Sequence, residues 1–131
     1  MATISLTEKN FEDVISTNDT VVIDFWAPWC APCRAFGPIF EKVAAAHPGI
    51  VFAKVNTEDE QGIAAALQIH SIPTLMIFRE KILLFSQPGM LPAKALEEIV
   101  GKVEALDMSD VRNAVAAQKP EAHAAAAAPA S

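Results

Sequence analysis

The chain carries two cysteines, Cys30 and Cys33, with only two residues between them. Cysteine does its chemistry as the thiolate, whether as nucleophile, metal ligand or half of a disulfide. The residues before the pair, Val21–Val22–Ile23–Asp24–Phe25–Trp26, form a nearly continuous apolar run, as in a central strand buried on both faces. The residues after it place Phe36, Ile39, Phe40 and Val43 at helical spacing. The cysteines therefore fall at a strand-to-helix junction. A helix N-terminus offers unpaired amide donors and the positive end of the macrodipole, so Cys30 is the thiol whose ionised form is favoured. Cys33, one turn further in, is expected to be buried. Two such thiols can close a disulfide within one turn, one attacking and the other releasing the product.

Other uses of a cysteine pair fit less well. A zinc site takes four ligands, but there is no third cysteine, and His47, His70 and His123 are scattered. Covalent haem attachment needs a histidine directly after the second cysteine, where Arg34 stands. A structural disulfide closing so short a loop would add little stability. Asp24 is the anomaly in the apolar run. Read blandly it is a core carboxylate tied up by hydrogen bonds. Read for chemistry it is a proton acceptor, because desolvation raises its pKa toward neutrality.

The elements that must position these groups follow from pattern. Thr3 to Leu6 reads as a strand, and Thr7 as a helix N-cap with Leu6 and Phe11 as a hydrophobic staple. The helix after Cys30 holds Pro38 in its interior, where the lost backbone donor predicts a kink, and ends at His47–Pro48–Gly49. Ile50 to Val55 is a second buried strand with Lys54 as its lone charge. Thr57 and Glu60 suggest a capping box for a helix through about Leu67. Thr74 to Phe78 and Ile82 to Phe85 are expected to pair as a hairpin through Arg79–Glu80–Lys81, although the turn lacks a glycine. Pro92 suits the first position of a last helix presenting Leu96, Ile99, Val100 and Val103. The order is βαβαβαββα, an α/β chain with a mixed sheet. Beyond Asp107, Met108 to Gln118 holds a weak amphipathic pattern, and an Ala/Pro-rich tail follows.

With 131 residues the chain suits a single domain. Its net charge of −6 disfavours sequence-independent nucleic-acid binding and adhesion to anionic lipid. No run approaches the ~18 apolar residues of a membrane span. The N-terminal segment lacks a basic region followed by an apolar run, so a cytoplasmic location is expected, where a close cysteine pair is more often catalytic than a staple.

The stretch Asp24–Phe25–Trp26–Ala27–Pro28–Trp29–Cys30–Ala31–Pro32–Cys33, followed by Ile72–Pro73–Thr74, resembles the thioredoxin family. The resemblance spans roughly Thr3 to Leu106. It implies a thioredoxin domain over 1–106, while the composition of 107–131 reads as an Ala/Pro-rich extension, weakly helical or disordered, without a counterpart in the minimal family member. It also implies a sheet of about five strands flanked by four helices. The implied activity is protein-disulfide reduction, with Cys30 as nucleophile and Cys33 as resolving thiol. The implied state is a monomer needing no cofactor beyond its redox-active cysteine pair, with thioredoxin reductase and disulfide-containing clients as partners. Thioredoxin is itself a standing example of a CxxC thiol with lowered pKa, so that expectation belongs to the resemblance.

In the family the residue matching Asp24 assists deprotonation of the resolving thiol, and Lys54 matches a buried lysine near it. Pro73 matches a proline after a cis peptide bond that lies against the cysteines. Trp29, Ala31, Pro32, Ile72, Pro73, Thr74, Gly89 and Met90 would then border the site and meet the client. Ala31 replaces the family's common glycine, Arg34 its lysine, and Met90 a smaller alanine. Two other functions remain open: a redox-independent binding or chaperone-like module using the apolar patch, and an oxidant or isomerase of the same fold.

Overall fold

The computed structural model describes residues 2–118. Ten elements follow one another: β1 (Thr3–Ser5), α1 (Phe11–Thr17), β2 (Thr20–Trp26), α2 (Ala31–Ala46), β3 (Val51–Asn56), α3 (Gln61–Ala66), β4 (Thr74–Arg79), β5 (Ile82–Pro88), α4 (Ala93–Ala105) and α5 (Met108–Ala116). The strands form one sheet in the order β1-β3-β2-β4-β5. β1, β3 and β2 run parallel because helical crossovers join them, while β4 and β5 lie antiparallel. This is the expected thioredoxin fold with a mixed five-stranded sheet. The described residues hold five helices, however, rather than the expected four.

The apolar run of β2 sits at the centre, with Val21 to Phe25 buried. Successive side chains of a strand point to opposite faces. Val21, Ile23 and Phe25 join Leu6, Phe11, Ile15 and Ile63 in a core on the α1 and α3 side. Val22 joins Phe36, Phe40, Leu75, Leu96 and Val100 on the α2 and α4 side. By the same alternation Asp24 faces α2, the helix that carries the cysteines.

Several local expectations shift. Thr7 caps a turn rather than α1: its Oγ1 accepts from Lys9 N at 3.2 Å, and Asn10 Oδ1 accepts from Thr7 N at 2.7 Å. The helix then starts at Phe11, which still packs in one core with Leu6. The Thr57–Glu60 capping box does not form. Thr57 Oγ1 donates to Trp26 O at 3.0 Å, Glu60 Oε1 accepts from Glu8 N at 2.9 Å, and α3 begins at Gln61. Pro38 lies within α2, as expected, whereas Pro92 occupies the cap of α4 rather than its first turn.

The hairpin closes through Glu80 and Lys81, both left-handed at φ 52 and φ 69. A two-residue hairpin turn demands that geometry even where no glycine relieves it. Beside the turn, Arg79 Nη1 donates to Val103 O, Glu104 O and Leu106 O at 2.8, 3.2 and 3.3 Å, anchoring the end of α4. α5 docks nearby. Met108 is buried, Asp107 caps the helix through Ser109 N at 3.0 Å, and Arg112 pairs with Glu80 at 2.6 Å. Residues 119–131, most of the expected Ala/Pro-rich tail, lie outside the described residues.

Candidate active site

β2 ends at Trp26 and α2 begins at Ala31, so Cys30 becomes the cap of α2, with extended backbone at φ −89, ψ 113. Pro32 stands in the first turn, where a missing N–H costs nothing because that amide would lack a helical partner. The next amide, of Cys33, donates to Cys30 Sγ at 3.2 Å. The cysteine side chain thus fills the place that a serine or aspartate oxygen takes at ordinary helix caps. The two cysteines form a disulfide with Cα atoms 5.2 Å apart. The sulfur at the cap is therefore in its oxidised state. Both cysteines are nearly covered, at 5% and 4% exposure.

Ile72 and Pro73 approach from the opposite side. The peptide bond between them is cis, and Cys30 Sγ lies 3.7 Å from Ile72 O. Pro73 is buried, and its carbonyl accepts from Gly89 N at 2.8 Å. Gly89 sits at φ +96, a conformation that favours glycine. Thr74 is buried with its hydroxyl donating to Ser71 O at 2.6 Å, so its side chain is spent within the loop. Ala31, Pro32 and Met90 are exposed, and Ile72 is half-buried. Trp29 is 65% exposed, and its Nε1 donates to Glu58 Oε1 at 2.9 Å. Arg34 Nη1 donates to Pro28 O at 2.9 Å and steadies the same loop.

Asp24 lies behind this surface with no exposure, and among the described residues neither of its carboxylate oxygens has a hydrogen-bond partner. Burial pushes its pKa up to about 7, against a smaller downward pull from Lys54. The bland reading, a carboxylate tied up by hydrogen bonds, does not hold. Lys54 is the register partner of Asp24 across the β2–β3 ladder, with Nζ 5.0 Å from the centroid of the Trp26 ring.

The described clefts of about 370, 360 and 180 Å³ are lined by neither cysteine. Among the described residues no group of three or more His, Cys, Asp or Glu could hold a metal ion, and no helix is long and apolar enough to cross a membrane. Reasoning from sequence missed Glu58 as the partner of Trp29, Arg34 as the brace on Pro28, and Trp26 as the partner of Lys54. Only the Trp26 pairing had a local signal, since adjacent buried strands bring their lone charges and aromatics together.

Comparison with known proteins agrees with this geometry. Residues 2–102 match the Thioredoxin family model. The chain is 50% identical over 121 residues to "Putative thioredoxin 2" of Streptomyces coelicolor, covering 92% of this chain and 90% of the relative. It is 38% identical over 104 residues to thioredoxin of Porphyra purpurea, covering 78% and 97%. Among solved structures, the oxidised form of mitochondrial thioredoxin 3 from Saccharomyces cerevisiae superposes with a TM-score of 0.71 at 29% identity, covering 77% of this chain and 95% of that one. With a disulfide-forming Cys30–Cys33 pair that is part of the protein and needs no added cofactor, the chain belongs to the thioredoxin family of thiol-disulfide oxidoreductases.

Proposed function

We propose that this protein reduces disulfides in other proteins, with Cys30 as the attacking thiol and Cys33 as the resolving one. The observation that carries the proposal is the amide of Cys33 aimed at Cys30 Sγ at the start of α2. In the reduced protein this donor and the helix dipole stabilise the Cys30 thiolate. The thiolate attacks one sulfur of a client disulfide, forming a mixed disulfide and releasing the other client sulfur as a thiolate, which takes up a proton. Cys33 then loses its proton to Asp24, and its sulfur attacks Cys30 Sγ. The Cys30–Cys33 disulfide forms, and the second client thiolate leaves and is protonated. Two electrons have passed to the client. A thioredoxin reductase returns them to the pair.

An Asp24 carboxyl with its pKa near 7 suits this role, because it can be a carboxylate before the step and an acid after it. An extended client segment would lie along Ile72–Pro73–Thr74 and over Trp29, Ala31, Pro32, Gly89 and Met90, contributing apolar contact. Lys54 biases Asp24 toward its charged form. The protein acts as a monomer in the cytoplasm, where the thiol pool favours the reducing direction.

The test is mixed-disulfide trapping. Cys33→Ser should accumulate clients linked through Cys30, whereas Cys30→Ser should trap few or none. Equal trapping by the two variants would overturn the roles. The exposed Trp29 and Met90 also support a second reading, a binding surface that works without redox chemistry. That reading predicts that a variant with both cysteines changed to serine still holds clients with undiminished affinity.

A further inference from the structure

Two elements, β2 and α2, meet the side chain that Lys54 extends from β3. On β3 it stands in register with Asp24 of β2. Its Nζ lies 5.0 Å from the Trp26 ring centroid. On the other side is α2, where a Cβ built on Gly37 would sit 3.8 Å from the same Nζ. Among the described residues Lys54 forms no ion pair, not even with Asp24.

This inward position needs a cause. An ammonium is compact, strongly hydrated and carried on a flexible stem. A cleft of about 180 Å³, lined in part by Lys54, Trp26, Asn56, Asp59 and Glu60, reaches outward from the indole and offers water and two carboxylates. Coulomb attraction and hydration both favour that outer position. Against them stand the negative face of the Trp26 indole, which attracts a cation, and the space left beside Gly37.

We propose that Trp26 and Gly37 are positioning residues: together they form a slot that holds the Lys54 ammonium inward, beside Asp24, instead of out toward Asp59 and Glu60. The functional side of this inference rests on the reading of Asp24 as proton acceptor for Cys33. The structural side does not. Around Asp24, β4 places Leu75 opposite it, α2 carries Cys33 within the disulfide, and among the described residues Lys54 is the one charged group that acts on it. A lysine released from the slot withdraws that charge, and Asp24 then holds its proton to higher pH.

The experiment is a carboxyl-carbon NMR titration of Asp24 in the oxidised protein, which needs neither client nor turnover. Trp26→Leu removes the aromatic face, and Gly37→Leu fills the space at Nζ. Each should raise the Asp24 midpoint by about half a unit, a fraction of the roughly one to three units that a close opposite charge produces. Trp26→Phe keeps an aromatic face, and Gly37→Ala adds a methyl at ordinary contact distance, so both should leave the midpoint unchanged within error. In a Lys54→Met background all four variants should titrate alike.

A midpoint that stays or falls in both leucine variants overturns the proposal, as does a rise that persists without Lys54. Should Trp26→Leu fail to fold, as judged by its amide spectrum, the Gly37 pair decides alone. Midpoints that move as expected while the resolving rate ignores them would instead refute the role given to Asp24, leaving the slot intact.

Discussion

The amide of Cys33 donates to the sulfur of Cys30 across 3.2 Å, closing the first turn of α2 with a cysteine where a capping oxygen usually stands. A cap is an acceptor by nature, and the better acceptor is the more negative one. The same three-residue spacing that lets the two sulfurs bond therefore also favours one of them as an anion. Helix geometry supplies both properties at once.

Asp24 makes stability depend on pH. Its carboxyl is raised from the ordinary 3.8 to about 7 by burial. Between those values the folded protein holds a proton that the unfolded chain releases. Stability is therefore greatest below the window and declines as pH rises through it. Asp24→Asn should abolish the decline, matching the parent at pH 4 and exceeding it by up to about 4 kcal/mol at pH 8 in urea unfolding. The same variant should lower turnover by about a hundredfold, the low end of what a positioned acid–base group supplies.

Lys81 holds φ 69 in the hairpin turn and is exposed. A left-handed conformation costs a residue with a Cβ about 1–2 kcal/mol, and glycine avoids most of it. Lys81→Gly should stabilise the protein by about 1 kcal/mol in denaturant midpoints, with disulfide reduction unaffected.

Ending the chain after Leu106 removes α5, whose Met108 is buried and whose Arg112 reaches Glu80. The contact lies at the Arg79 end of β4, whereas the site lies at the Thr74 end. The shortened protein should lose about 2 kcal/mol from the apolar anchor, with little from the exposed ion pair. It should still reduce insulin at the parent rate.

Trp29→Ala should leave stability within about 0.5 kcal/mol, because the ring is mostly in solvent. Its loss should show in the client. A protein substrate should bind about tenfold more weakly, as for loss of one aromatic contact at an interface. A small soluble disulfide should react as before. Steady-state kinetics on the two substrates separate these effects.

What the sequence makes legible is what rests on neighbours along the chain. Cys30 and Cys33 announce themselves by type and spacing, and Asp24 by interrupting an apolar run. β2 and α2 follow from their periodicities. Pro73, Gly89 and Met90 are assigned to the site only through family resemblance, since nothing local in the sequence points their loops toward the cysteines. The misreadings share one cause. Thr57 and Glu60 match a capping box, but Trp26 O and Glu8 N, distant in sequence, claim their side chains. α5 has a weak amphipathic pattern, and its stability comes from Met108 burial and from Glu80, which lies 32 residues from Arg112. Glu58 reaches Trp29 across 29 residues. Such pairings are tertiary, and no periodicity encodes them.

The central claim, that the cap of α2 makes Cys30 an acidified nucleophile, is tested most directly by alkylating the reduced protein across pH and following Cys30 by peptide mapping. The midpoint should fall well below the value of about 8.5 for an unperturbed thiol. A midpoint at or above that value would contradict the account.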